Sequence, residues 1–459
     1  MSPRTPLALP LASSAISRRS ILTFAGLAAA TFGLSACAGP SVGGETVAQT
    51  DETDWSGVTP ASSITWWSNH PGKSQDTENE LIRRFNEKYP DIAVELVTAG
   101  ANYDEVAAKF QAASGTDNIP DLVIASDVWW FRYFINGQLL PLDGVLSHLG
   151  TELDDYNATL LGDYQYGGQQ WAIPYARSTP LFYYNKSAWS EAGLPDRGPE
   201  TWSEFEEWAP SLGKTAQSGA ALALGKGTSW AAWWFENILW GQGGQYSKEF
   251  ELTLDATETL AAGEYLRALV HDKGYAAVAT EQDTDFGAGT FPATLSSTGS
   301  LSGILASANF EVGTAFLPDG PQGSGVPTGG TGIGIPAKST PERQLAAAMF
   351  LSFITEPDNT ALFSAATGYI PVRTSAVEST TVQQLLTEKP QFRTAIDQLE
   401  QKSRSQDWVR VFVPQGDKIL TDGIEQILIN NTSASEAFSS ITPQLQQAYD
   451  ENVKPYLNN

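Results

Sequence analysis

From residue 62 onward the chain alternates strand-like and helix-like patterns, and this alternation limits the fold more than any other feature. SITWW (63–67) reads as a strand. QDTENELIRRFNEKY (75–89) sets Leu81, Phe85 and Tyr89 at i, i+4 and i+8 on one helical face, and Pro90 stops it. IAVELV (92–97) is a second strand, and YDEVAAKFQAAS (103–114) a helix with Val106, Phe110 and Ala113 on one face. DLVIA (121–125) is a short buried strand and VWWFRYFI (128–135) a further helix. This order and spacing predict an α/β fold with a mainly parallel sheet covered by helices. At 459 residues the chain exceeds one compact core, so two lobes are expected.

The first 36 residues stand apart from that pattern. Arg18-Arg19 in SRRSILTF precede the apolar run ILTFAGLAAATFGLSA, which ends at Cys37. A basic region, a short apolar core and small residues describe a signal peptide, and the run is shorter than the roughly 20 residues of a membrane-spanning helix. SRRSIL resembles a twin-arginine export signal. LSAC (34–37) resembles the lipobox of bacterial lipoproteins, which makes Cys37 the lipidated first residue of an extracytoplasmic protein held at the outer face of the cell membrane. Cys37 is the single cysteine, so no internal disulfide or thiolate metal cluster can form. Residues 37–60, small, polar and acidic, read as anchor and flexible linker.

Removing residues 1–36 takes three arginines from 27 basic residues and leaves 24 against 52 acidic ones, a formal charge of −28. Such a field repels polyanions and argues against a nucleic-acid partner. Enzyme signatures are missing as well. The three histidines lie in no HExxH arrangement, no GxSxG elbow occurs, and GAALALGKGT (219–228) has the wrong spacing for a phosphate loop. GTGIG (330–334) lacks the strand–loop–helix setting of a dinucleotide fingerprint. The sequence calls for no metal and no cofactor.

FNEKYPDIAVEL, IPDLVIASD, GQLLPLD, STPLFYYNKSAWSEAGL, PETWSEFEEWA and TGYIPV follow in this order between residues 85 and 372. Together they resemble the extracytoplasmic solute-binding proteins of carbohydrate-type ABC importers, over nearly the whole chain from residue 62. The resemblance implies a two-lobed, type II periplasmic-binding-protein-like fold with the ligand in a cleft between lobes joined by hinge segments. By analogy the first lobe holds 61–142 with 293–335, and the second 143–292 with 336–459. The expected protein is a monomer without enzymatic activity whose partners are a small molecule and the permease subunits.

STPLFYYNK, the tryptophans before Glu236-Asn237, SSTGSL (296–301), GGTG (329–332), TGYIP (367–371) and an arginine near VPQ (413–415) are most similar to members that bind glycerol-3-phosphate or glycerophosphodiesters. The alternatives are the same role for a sugar or oligosaccharide, and a secreted glycan-degrading lipoprotein. Matching positions imply the ligand contacts. Ser178, Ser297 and the Gly330 amide would donate hydrogen bonds, and Tyr103 and Tyr369 would present phenols. Asp127, where relatives carry glutamate, would accept from hydroxyls. Trp230 and Trp233 would pack on the glycerol, with Trp234 as the other register for the pair. Trp67 stands at the first strand's exit, and Arg410 is the counter-charge for a phosphate. Arg177 replaces a small polar residue of the relatives and is either an added cleft charge or a solvated side chain. Each of these residues also has a plainer use as turn, cap or core.

Overall fold

The computed structural model describes residues 53–69 and 73–457; the signal peptide, Cys37 and the linker up to residue 52 lie outside them. The described strands are β1 (Ser63–Ser68), β2 (Ala93–Thr98), β3 (Leu122–Ser126), β4 (Ile173–Ser178), β5 (Pro180–Asn185), β6 (Leu222–Leu224), β7 (Ala276–Val278), β8 (Ala293–Ser297), β9 (Val312–Ala315) and β10 (Gly329–Gly334), besides three two-residue ladders. Two five-stranded sheets result. The first runs β2-β1-β3-β10-β4 and the second β7-β6-β8-β5-β9, and each anchors one lobe.

Neither sheet is mainly parallel, contrary to the expectation. In the first, β1 pairs in parallel with β2 and β3, but β10 runs antiparallel to both β3 and β4. In the second, β6 is parallel to β7 and β8, while β5 is antiparallel to β8 and β9. The antiparallel strands enter from distant segments, which a local pattern of strands and helices cannot reveal.

The lobe boundaries shift for the same reason. Residues 293–297 and 312–315, expected in the first lobe, pair with β5 in the second, and only β10 of the 293–335 segment joins the first. Strand β4, expected in the second lobe, lies in the first sheet. Helix α1 (Lys73–Lys88) and α2 (Tyr103–Ala113) belong to the first lobe. Later helices return to it: in Pro341–Ile354, Phe350 meets Trp66 of β1 edge-on at 5.5 Å and Phe85 of α1 at 5.0 Å. The chain therefore crosses between sheets at Thr179 and again before Gly329. The linker also ends earlier than residue 60, because Trp55 is buried in the core and the Ala61 amide bonds to the Glu342 carbonyl at 2.8 Å.

Local chemistry explains the elements that frame the cleft. Asn102 caps α2 by accepting from the Glu105 amide, which sets Tyr103 at the helix start. The run PLFYY is buried throughout because β5 lies inside the second sheet with both faces covered. Pro357 opens Pro357–Thr367, and Gly368, at φ 107°, ends it in the left-handed conformation and turns the chain to Tyr369.

Candidate functional site

Between the lobes lies a cavity of about 490 Å³. Nine of the ten residues singled out from the sequence line it: Tyr103, Asp127, Ser178, Trp230, Trp233, Ser297, Gly330, Tyr369 and Arg410. Trp67 does not. It sits within β1, two residues short of the cavity, with the Lys109 ammonium 4.4 Å from its ring centroid. The position that reaches the cavity is Asn69, just past the strand, whose Oδ1 is buried without a hydrogen-bond partner. No motif marks Asn69; its one signal is its place beyond the carboxyl end of a strand, where open α/β sheets bind ligands. Thr228, Ser229, Gly299, Ser300 and Gly329 also line the space; the last three lie within SSTGSL and GGTG but were not singled out as contacts, and Thr228 and Ser229 were not foreseen.

The first lobe supplies acceptors and phenols. Asp127 follows β3, its Oδ1 accepting from the Val128 amide at 3.0 Å and its Oδ2 from Gln406 Nε2 at 2.5 Å. It does not cap the next helix, α3 (Trp130–Ile135), which has no side-chain cap. The Tyr103 and Tyr369 phenols hydrogen-bond each other; burial, and for Tyr103 the neighbouring Tyr369, pushes both above the ordinary tyrosine range, so both stay protonated donors. Phe363 stacks on Tyr369 with centroids 5.8 Å apart.

Gly330 is obligatory as glycine. Its φ is 104°, and a Cβ there would lie 2.2 Å from the Ala176 carbonyl oxygen. It is a strand residue of β10 rather than a turn, and its own carbonyl accepts from the Asp127 amide at 3.1 Å. Ser178 closes β4 opposite Gly329, only 3% exposed.

The second lobe supplies aromatic faces and the positive charge. Trp230 and Trp233 meet edge-to-face at 6.0 Å at the start of α4 (Ala231–Gly241). Trp233 Nε1 donates to the Thr328 carbonyl, and Gly329 leaves no room for a Cβ beside the indole. Trp234 is a core residue instead, donating to the Gly225 carbonyl, so the pair is Trp230 with Trp233. Glu236 and Asn237 are buried scaffold: Glu236 accepts from the Asp407 amide, and burial followed by the nearby Asp407 charge pushes its carboxyl up. In the glycine-rich 219–228 stretch the Gly227 amide donates to Glu425 and the Ala221 and Leu222 amides to the Tyr275 carbonyl, while Ser229 just beyond it donates to Asp417, so these amides do not form a phosphate loop.

Ser297 Oγ accepts from the Gly299 amide at 3.0 Å, which leaves its hydroxyl proton available. Tyr183 OH holds the Ser297 carbonyl at 2.7 Å. Arg410 is 2% exposed; Nη2 lies 2.7 Å from Asp417 Oδ1, while Nε and Nη1 have no hydrogen-bond partner. Asp127 Oδ2 is 3.9 Å from Nη1, too far for a hydrogen bond. Burial opposes the guanidinium charge, but Asp417, Asp127 and Glu236 outweigh it and keep Arg410 protonated.

Arg177 is neither a cleft charge nor solvated. It is fully buried, paired with Asp163, and donates to Tyr164 OH at 2.7 Å while lying over that ring. A cavity with one buried cation holding open donors, several hydroxyls, a carboxylate and two indole faces fits a small polyol carrying an anionic group.

Residues 80–394 match the model of the bacterial extracellular solute-binding protein family. The sn-glycerol-3-phosphate-binding periplasmic protein UgpB of Escherichia coli strain K12 is 26% identical over 364 residues, 74% of this chain and 81% of that protein. The crystal structure of UgpB from Mycobacterium tuberculosis in complex with glycerophosphocholine shares 44% identity with a TM-score of 0.81, covering 86% of this chain and 100% of that one. The GacH receptor of Streptomyces glaucescens GLA.O shares 21% identity with a TM-score of 0.72, over 84% of this chain and 98% of that one, and shows the common fold.

Proposed function

The chain belongs to the bacterial extracellular solute-binding proteins, and from that premise we propose that its cleft captures glycerol-3-phosphate or a glycerophosphodiester outside the membrane and delivers it to an ABC permease. The protein is a binding component of an importer and not an enzyme. The observation that carries the ligand assignment is Arg410. It is buried and charged, it lines the cavity, and two of its donor nitrogens have no hydrogen-bond partner. Leaving such donors unpaired costs about 1–3 kcal/mol each, which a phosphate oxygen recovers and a neutral sugar recovers less fully.

In this reading Asp127 and Asn69 accept from the glycerol hydroxyls, Ser178 and Ser297 donate to the ligand's oxygens, and Trp230 and Trp233 cover its C–H faces. The Gly330 backbone lets the ligand approach β10 closely. Residues 1–36 direct export, Cys37 carries the lipid that tethers a monomeric domain to the outer face of the membrane, and the residues before Trp55 span the gap. The relatives named for glycerol-3-phosphate and solved with glycerophosphocholine support the ligand class.

Isothermal titration of the folded domain against glycerol-3-phosphate, glycerophosphocholine and maltose tests the proposal. Binding of at least one phosphate ligand, recovered chemically unchanged, is the expected result. Binding of maltose with no heat from either phosphate ligand would overturn it.

A further inference from the structure

Asp417 is buried behind the cavity wall, in the first turn of the helix Gly416–Asn430. It joins two pieces of that wall that are distant in sequence. Its Oδ1 stands 2.7 Å from Arg410 Nη2, and its Oδ2 accepts from the Ser229 amide at 2.7 Å. Arg410, Ser229 and the neighbouring Trp230 line the cavity, whereas Asp417 does not. We infer that Asp417 is a positioning residue for ligand binding: it holds the Arg410 guanidinium at the cavity and off Asp127, and it sets the loop that carries Trp230.

This role rests on the phosphate reading above and extends it. Two carboxylates compete for Arg410. Asp417 holds Nη2 and leaves Nε and Nη1 without a hydrogen-bond partner, while Asp127 Oδ2 lies 3.9 Å from Nη1 and accepts from Gln406 Nε2 at 2.5 Å. That gap is about 1 Å too long for a hydrogen bond, so a small swing of the arginine would close it. Asp127 follows β3 in the first lobe and Arg410 belongs to the second, so a direct pair would join the lobes with no ligand between them. It would take up a donor needed by a phosphate and an acceptor needed by a hydroxyl. A buried guanidinium that loses one carboxylate is costly until it reaches another, and Asp127 is within 4 Å. Glu236 competes less, because burial pushes its carboxyl up and its Oε1 accepts from the Asp407 amide.

Asp417 is itself held in place from both sides. Gly416 admits no Cβ, which would lie 2.0 Å from the Val409 carbonyl oxygen, so the helix starts tightly against the segment that bears Arg410. A carboxylate in the first turn also suits the positive end of that helix. On the loop side, Ser229 is left-handed at φ 68°, a conformation uncommon for serine, and its amide bond to Asp417 holds the turn there. Glu425, about two turns further along the same helix, accepts from the Gly227 amide at 2.7 Å. The loop before Trp230 is thus pinned twice to one helix, and Asp417 is the pin that also reaches the arginine.

A double-mutant cycle read by calorimetry with glycerol-3-phosphate and glycerophosphocholine tests this, each variant being checked for its melting transition. Asp417→Asn keeps the size of the side chain and an oxygen for the Ser229 amide, but removes the charge that holds Arg410. It is expected to weaken whichever of the two ligands wild type binds by about tenfold. In the Asp127→Asn background, where that carboxylate no longer captures Arg410, the same substitution should cost less than about threefold. In the Arg410→Gln background it should cost no more than about twofold. A role in packing alone would cost the same in every background. Asp417→Ser carries the same cycle if Asp417→Asn does not melt as wild type does. Unchanged affinity on losing Asp417, equal losses in all three backgrounds, or failure of both Asp417 variants to fold overturns the positioning role and leaves the phosphate reading in place. A wild-type protein that binds neither ligand overturns both.

Discussion

Ser178 and Arg410 meet the same cavity with different chemistry, and their substitutions should differ in size. Ser178 contributes one neutral hydroxyl, worth about 1 kcal/mol, so Ser178→Ala should weaken glycerol-3-phosphate about threefold to tenfold. Arg410 contributes charge-assisted bonds, so Arg410→Gln should weaken it about tenfold to a hundredfold, and binding should depend on salt in wild type more than in the variant. Calorimetry at two ionic strengths reads both, and a Ser178→Ala loss exceeding the Arg410→Gln loss would contradict the assignment of the phosphate to Arg410. Most of these residues were legible because each sits in a short run with its own character, such as STP, TGY or SSTG. Asn69 was not, since a lone polar residue after a strand carries no pattern. Trp67 misled because an aromatic at a strand exit looks like a stacking face, whereas the cavity begins only past the strand's end.

At the scale of elements, helix existence was readable from periodicity and capping, and strand pairing was not. Leu81, Phe85 and Val106 are fully buried as their spacing demands. That β8 and β9 join the second sheet depends on partners more than 100 residues away at β5, which no window of sequence contains. The segment 407–411 shows the same non-local control over charge. Asp407 Oδ1 accepts from Trp240 Nε1 at 3.3 Å and Oδ2 from the Tyr246 amide at 2.6 Å, and burial pushes its carboxyl up to about 6. The folded form therefore binds this proton more tightly than the unfolded chain, whose value is 3.8. Its contribution to stability is full below 3.8 and is lost as pH rises through about 6, by about 3 kcal/mol. Asp407→Asn loses one acceptor, so it should be less stable than wild type at pH 4, with the gap closing by about that amount at pH 7. Urea midpoints at both pH values check this, and parallel wild-type and variant curves would refute it.

For the whole molecule, two lobes and a cleft were legible from length, alternation and the ordered motifs, whereas the contacts that hold the lobes in this arrangement were not. One short segment of the second lobe carries several of them. Ser405 Oγ donates to Asp163 Oδ1 at 2.6 Å and Gln406 Nε2 donates to Asp127 Oδ2 at 2.5 Å; Asp127 follows β3 and Asp163 pairs with Arg177 of β4, so both carboxylates stand with the first sheet. Asp127 lines the ligand cavity, so Gln406 connects lobe closure to the cavity wall through a single carboxylate. Nearby, Phe131 of the first lobe stacks on Phe412 of the second at 4.5 Å, and Trp130 meets the same ring edge-on at 5.5 Å. Apolar contact of this kind favours closure without direction, while the two hydrogen bonds fix its register. Ser405→Ala with Gln406→Leu should thus leave the fold intact and shift the unliganded protein toward an open form. Closure of binding-protein lobes is a hinge motion, so opening enlarges the radius of gyration measured by small-angle X-ray scattering. Saturating glycerol-3-phosphate should restore the wild-type value, and affinity should fall by the cost of closing, since a ligand that selects the closed state binds in proportion to its population. If the double variant scatters like wild type without ligand and binds with unchanged affinity, the 405–406 segment does not govern closure.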